Sequence, residues 1–209
     1  MTLSRRTLLA AAASLLTARV ARADGAVDDL FVRIARARAP LRTLQGPFTQ
    51  TRTIALFATD VRSHGTLRLA RPDRMRWELA PPDDVTFWVG PEGLAYRSAH
   101  GHGRLPAATA RVGDALDDLR TLLGGDLALL ARRWSLRVLR DDAGGAQIEA
   151  TARTAGAPGV QSMTFELGSD LVRPRRATLV GGTKDRTVVD FGELVVDSPI
   201  DESTMRPPP

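Results

Sequence analysis

The stretch Gly65 to Leu79, Gly-Thr-Leu-Arg-Leu-Ala-Arg-Pro-Asp-Arg-Met-Arg-Trp-Glu-Leu, constrains this chain more than any other. Leu67 and Leu69 alternate with Thr66 and Arg68, which is the period of a strand with one apolar face. Arg71-Pro72-Asp73 then reads as a turn, since proline fixes φ where the chain reverses. Beyond it Met75, Trp77 and Leu79 alternate with Arg76 and Glu78. A hairpin with one apolar and one charged face follows, and such a face has to be covered.

The same alternation recurs along the chain. It predicts strands over Phe48–Phe57, Ser63–Ala70, Arg74–Ala80, Val85–Val89 and Gly93–Ser98. A second set follows over Trp134–Arg140, Gln147–Thr154, Gln161–Leu167, Pro174–Val180, Arg186–Phe191 and Glu193–Val196. Turn residues separate them, among them Pro81-Pro82, Gly90-Pro91, Gly144-Gly145 and Gly181-Gly182. Many short strands at this spacing give a mainly β, antiparallel sheet that folds as a sandwich or a barrel-like layer.

Three helical segments interrupt the pattern. Val27, Leu30, Phe31, Ile34 and Ala35 share a stripe, with Asp28, Asp29, Arg33, Arg36 and Arg38 spread around the rest. Asp24 is placed to cap this helix and Pro40 to end it. In the middle, Leu116, Leu119, Leu122 and Leu123 share one side before Gly124-Gly125. Leu127, Leu130, Ala131 and Trp134 continue a second short helix behind Asp126. Three short helices are too few for a bundle, so they must pack on the sheet.

The N-terminus reads as an export signal. Arg5-Arg6 precedes an apolar run from Leu8 to Ala18, and Ala21-Arg22-Ala23 is a small-x-small cleavage site. The run is shorter than the roughly 20 residues needed to span a bilayer, and the arginine pair suits the twin-arginine route. The expected organisation is a signal peptide over 1–23 and one domain over 24–209 with a short Pro-rich C-terminal tail. The formal charge of +5 owes four arginines to the signal. From Asp24 onward 25 basic side chains face 24 acidic ones, which removes the basic footprint that nucleic-acid binding needs. The chain has no cysteine, so disulfides, thiolate metal sites and an acylated lipobox are excluded.

Candidate chemistry is sparse. His100-Gly101-His102-Gly103 resembles a metal pair, but His64 is the only other histidine and no third ligand is apparent. The glycines there suggest a hairpin loop instead. No serine sits in a Gly-x-Ser-x-Gly elbow. Asp83-Asp84 and Asp117-Asp118 fall at turn or solvent-facing helix positions. Gly90-Pro91-Glu92-Gly93 and Gly181-Gly182-Thr183 lack the strand–helix context of a phosphate loop. The expectation is a non-enzyme without cofactor or metal.

One set of residues also carries a resemblance. Phe48-Thr49-Gln50, Ser63, Gly65, Arg71-Pro72, Trp77 and Pro81-Pro82 together resemble the LolA family of periplasmic outer-membrane lipoprotein carriers, over roughly the first half of the chain after the signal. The resemblance implies a strongly curved antiparallel half-barrel of about ten strands with three helices plugging its concave side. It implies an apolar cavity for acyl chains, for which Phe48, Leu67, Leu69, Met75, Trp77, Leu79, Val85, Phe87 and Leu94 are the candidate walls. A filled core accounts for most of these positions equally well. Arg71 matches the family's arginine that hydrogen-bonds the helical lid and holds the empty cavity shut. Met75 stands where the family commonly has phenylalanine, and Ala95 near a family tryptophan. The implied partners are acylated lipoproteins or another envelope lipid or glycolipid, a lipoprotein-releasing ABC transporter of the inner membrane and an outer-membrane acceptor. A periplasmic monomer is expected, and a lipoprotein-sensing domain is the other binding role open to such a fold.

Overall fold

A computed structural model of the chain describes residues 25, 27–57, 59–105, 111–124, 127–154, 159–182 and 184–208. The signal segment and the caps expected at Asp24 and Asp126 lie outside these residues. The core is a twelve-stranded antiparallel sheet, curved and unclosed. Its first half is a meander of β1 (Thr43–Ile54), β2 (Thr59–Ala70), β3 (Arg74–Leu79), β4 (Val85–Gly90), β5 (Gly93–Ser98) and β6 (Gly101–Leu105). Its second half is a meander of β7 (Trp134–Asp142), β8 (Gly145–Ala152), β9 (Val160–Leu167), β10 (Pro174–Gly181) and β11 (Arg186–Phe191). The two join where β11 pairs with β1, Phe191 opposite Phe48. The short β12 (Val195–Val196) also pairs with β1.

This order leaves β6 and β7 as the two edges of the sheet. The chain between them is α2 (Arg111–Gly124) and α3 (Leu127–Arg133), so these helices must cross from one edge to the other. They do so over the apolar face, where Leu119, Leu122, Leu123, Leu127 and Leu130 are buried in the common core. Helix α1 (residues 27–38) adds Leu30 and Ile34 to the same core. A curved sheet filled by three helices is the expected architecture. Twelve strands stand where the resemblance implied about ten and the alternation eleven; the strand missed by the alternation is β6, where the glycine-rich segment read as a loop at His100–Gly103 pairs with β5 from Gly101 onward, Arg97 opposite His102. β1 also begins five residues earlier than the alternation indicated. Pro47 and Gly46 mask its period, yet Leu44 is fully buried opposite Leu69.

The Gly65–Leu79 hairpin has the register its pattern required, with Leu67 opposite Trp77 and Leu69 opposite Met75. Gly65 is there for space. A Cβ at this position would lie 1.9 Å from the Glu78 carbonyl oxygen and 2.8 Å from the Phe48 ring. The charged face is also ordered, since Glu78 bridges Arg68 at 3.0 Å and Arg76 at 2.7 Å. On that outer face the C-terminal 3-10 turn Glu202–Met205 covers Trp88, whose indole N–H donates to the Thr204 carbonyl at 2.9 Å. Among the described residues no helix is long and apolar enough to cross a membrane.

Candidate functional site

The turn of the Gly65–Leu79 hairpin reaches under both larger helices. The Arg71 guanidinium donates to the main-chain carbonyl of Arg38, in the last turn of α1. Two residues on, the Asp73 carbonyl accepts from Arg120 of α2 at 3.5 Å. An arginine suits the first position because its fork of donors satisfies a helix-end carbonyl that has no intrahelical partner.

Arg38 itself departs from the sequence reading. Its spacing from Leu30 and Ile34 puts it on the buried stripe of α1, and its exposure is 0 %. The guanidinium is spent on three main-chain carbonyls: Leu171 at 3.1 Å, Val172 at 3.2 Å and Leu122 of α2. It therefore joins α1, the end of α2 and the β9–β10 turn at one point. Burial pulls its pKa down to about 10, which Asp170 opposes and neighbouring Arg71 reinforces. The β9–β10 turn is braced in its own right. Partial burial would raise the Asp170 carboxyl, but the N–H groups of Arg173 and Val172 and the Arg173 guanidinium hold it below its ordinary value. A lone arginine at the end of an amphipathic stripe was the available signal; composition hid it among the 28 arginines of the chain.

The apolar candidates divide into two groups. Phe48, Leu67, Leu69, Met75, Trp77 and Leu94 are buried and closely packed. Phe48 stacks on Trp77 at 3.8 Å between centroids, and Phe191 meets Trp77 edge-on at 6.3 Å. Leu79, Val85 and Phe87 are half-buried on the same face, Leu79 opposite Val85 and Trp77 opposite Phe87. All of these except Val85 belong to the core or pack against it.

Open space lies elsewhere on the same side of the sheet. A groove of about 920 Å³ runs between α1, α3 and β7. Val27, Phe31, Val32 and Ala35 line it from α1, Leu127, Ala128 and Ala131 from α3, and Trp134 and Leu136 from β7, with Asp28, Ser135 and Arg153 as its polar members. Periodicity alone places Val27, Phe31, Ala35, Leu127, Ala131 and Trp134 on helical stripes. The indole N–H of Trp134 is buried without a hydrogen-bond partner. The α3 wall is fastened to α2 through Arg133 and the buried Asp118 at 3.0 Å. Such a surface can take an apolar chain, with Asp28, Ser135 and Arg153 placed for a polar group at its end or rim. Among the described residues no group of three or more His, Cys, Asp or Glu is placed to hold a metal.

Residues 39–87 match the family model described as "Outer membrane lipoprotein carrier protein LolA". That span holds Phe48, Gly65, Arg71-Pro72, Trp77 and Pro81-Pro82, and it is this part of the chain that is similar to the family. Among solved structures it is similar to an uncharacterized conserved protein from Thermus thermophilus, at 8 % identity and a TM-score of 0.51 over 88 % of this chain and 94 % of that one. A LolA superfamily protein from Nitrosomonas europaea aligns at 10 % identity and a TM-score of 0.45, covering 86 % and 97 %. The Mycobacterium tuberculosis lipoprotein LppX aligns at 14 % identity and a TM-score of 0.45, covering 83 % and 98 %. No curated protein sequence matches the chain.

Proposed function

We propose that this chain is a non-enzymatic periplasmic carrier that shelters the acyl chains of envelope lipoproteins between the inner and outer membranes. The observation that carries the reading is the groove of about 920 Å³ between α1, α3 and β7. Its volume is in the range of about 300–1,000 Å³ typical of ligand sites, and most of its lining residues are apolar, with Asp28, Ser135 and Arg153 among them. Each methylene kept from water is worth about 0.8 kcal/mol, so an acyl chain crosses an aqueous space only inside such a shelter.

Arg71 would act as the catch. Its bond ties the end of α1 to the β2–β3 turn. Lifting α1 would widen the groove that this helix walls, and reclosure would help expel the cargo. In this reading the partners are an inner-membrane ABC transporter that loads the carrier and an outer-membrane acceptor that unloads it. The carrier works as a monomer and is exported after cleavage near Ala23.

The test is to purify the exported protein, extract it with organic solvent and identify what it carries by mass spectrometry. Acylated peptide is the expected cargo, and its amount should fall sharply in Ala131→Trp, which fills the groove. A glycolipid or free phospholipid instead would keep the carrier but change its cargo. Protein that carries no acyl compound and binds no synthetic acyl-peptide would refute the reading.

A further inference from the structure

The two most exposed large apolar side chains among the described residues are neighbours in the chain. Leu56 is 83 % and Phe57 69 % exposed, both at the tip of the β1–β2 hairpin. The packed face of that hairpin ends at Phe48 and Gly65. β1 runs six residues further to Ile54, roughly 20 Å of strand, with Gln50, Arg52 and Ile54 on its core side. β11 pairs with it as far as Thr53, so the tip projects just past the end of β11. It is nevertheless held in shape: the Phe57 N–H donates to the Ile54 carbonyl at 3.1 Å, the Thr59 hydroxyl to the Phe57 carbonyl at 3.1 Å, and the Ala55 N–H to Asp185 at 2.9 Å.

Charge around the tip is predominantly positive. Arg52 and Arg62 of the hairpin, with Lys184 and Arg186 of the adjoining β10–β11 turn, are all exposed. None of the four makes an ion pair with another described residue. Two carboxylates stand among them, Asp185 accepting from the Ala55 N–H and Asp60 from the Thr53 hydroxyl at 2.7 Å, so the cations outnumber the anions four to two. From Asp24 onward the chain is nearly neutral, so this collar is a local concentration of positive charge.

We propose that the β1–β2 tip docks the protein on an anionic phospholipid bilayer. Leu56 and Phe57 enter the boundary between headgroups and acyl chains, and the four cations stay at the phosphates. Long basic side chains behave this way at membrane surfaces, and apolar insertion and electrostatic attraction reinforce each other. An exposed apolar pair alone would fit several occupants; the collar of unpaired cations selects a polyanionic surface. The inference stands whatever the groove carries.

The absence of cysteine makes the test specific. Leu56→Cys carrying an environment-sensitive NBD fluorophore reports from the tip. Ala143→Cys, on the exposed β7–β8 turn at the opposite end of the sheet, is the control. On vesicles of phosphatidylglycerol and phosphatidylcholine, the tip label should brighten severalfold and shift to the blue while the control stays unchanged. Phosphatidylcholine alone should have little effect. The triple change Arg52→Glu, Arg62→Glu, Arg186→Glu should weaken vesicle affinity at least tenfold, and raising salt on the otherwise unchanged labelled protein should do the same. Adsorption through another part of the chain, the Leu8–Ala18 run included, leaves the tip label dark. A dark tip on anionic vesicles, or equal changes at both labels, overturns the proposal. Brightening without vesicles that grows with protein concentration assigns the tip to a second copy of the chain and overturns it as well.

Discussion

Arg71 and Arg38 act in series. The first donates its guanidinium to the main-chain carbonyl of the second, whose own guanidinium is spent on carbonyls of α2 and the β9–β10 turn. The two like charges, Arg38 buried and Arg71 half-buried, are neighbours because each faces carbonyl oxygens. A single chain of donors thereby ties the β2–β3 turn to α1, and α1 to both α2 and the far half of the sheet.

Arg71→Leu should loosen the closed arrangement with little loss of global stability. A hydrogen bond from a charged donor is worth roughly 1.5–3 kcal/mol, enough to move an open–closed equilibrium tenfold or more. Under the carrier reading the variant retains acyl-peptide longer and hands it to acceptor vesicles more slowly. Stopped-flow release of a fluorescent acyl-peptide measures this, and release equal to wild type would reduce Arg71 to an ordinary turn residue.

Arg38→Met should cost much more. The three carbonyls that lose their donor are main chain and stay buried, so no apolar substitute removes the need for a partner. A loss of at least about 3 kcal/mol in urea unfolding is expected. Arg38→Lys should recover little of it, because an ammonium cannot serve three acceptors held in a planar fork. A variant that unfolds at the wild-type midpoint would show that the guanidinium contributes nothing net.

Met75→Glu distinguishes packed core from accessible wall. Met75 is 1 % exposed, between Leu69 and Val89 in the sheet register. A carboxylate there has no partner and should cost about 3 kcal/mol or more. Circular dichroism during urea titration will show it. If the variant stays fully stable and loses only acyl-peptide binding, the site is open to ligand.

Acid should release the Arg38 clasp from its far side. The Asp170 carboxyl is held below its ordinary value of 3.8, so the folded state favours the carboxylate. Its contribution is complete above the unfolded value and is lost as pH falls through the lower folded one. Unfolding midpoints measured from pH 6 down to pH 2 should fall below about pH 4. Asp170→Asn should flatten that part of the profile, and an unchanged acid slope would remove Asp170 from this role.

Period-two alternation was enough to place most strands, because a half-buried strand writes its two faces directly into the chain. Where that signal is masked, the sequence fell short. Pro47 and Gly46 concealed the start of β1, and β6 has two glycines in five residues, with pairing to β5 rather than side chains giving it its form. The helices were legible as stripes, but which stripe lines open space was not. The groove exists because α1, α3 and β7, distant in sequence, meet without filling the space between them.

The sequence by itself determined the hairpin on Arg71-Pro72-Asp73, the apolar face opposite Glu78 and the three amphipathic helices, since each depends on residues within a few positions of one another. Tertiary structure alone decided which arginine would be buried. The acceptors of Arg38 lie 84, 133 and 134 residues away, and they are main-chain carbonyls, which every residue possesses and no sequence pattern marks. A buried guanidinium is tolerable only where folding delivers such acceptors to it.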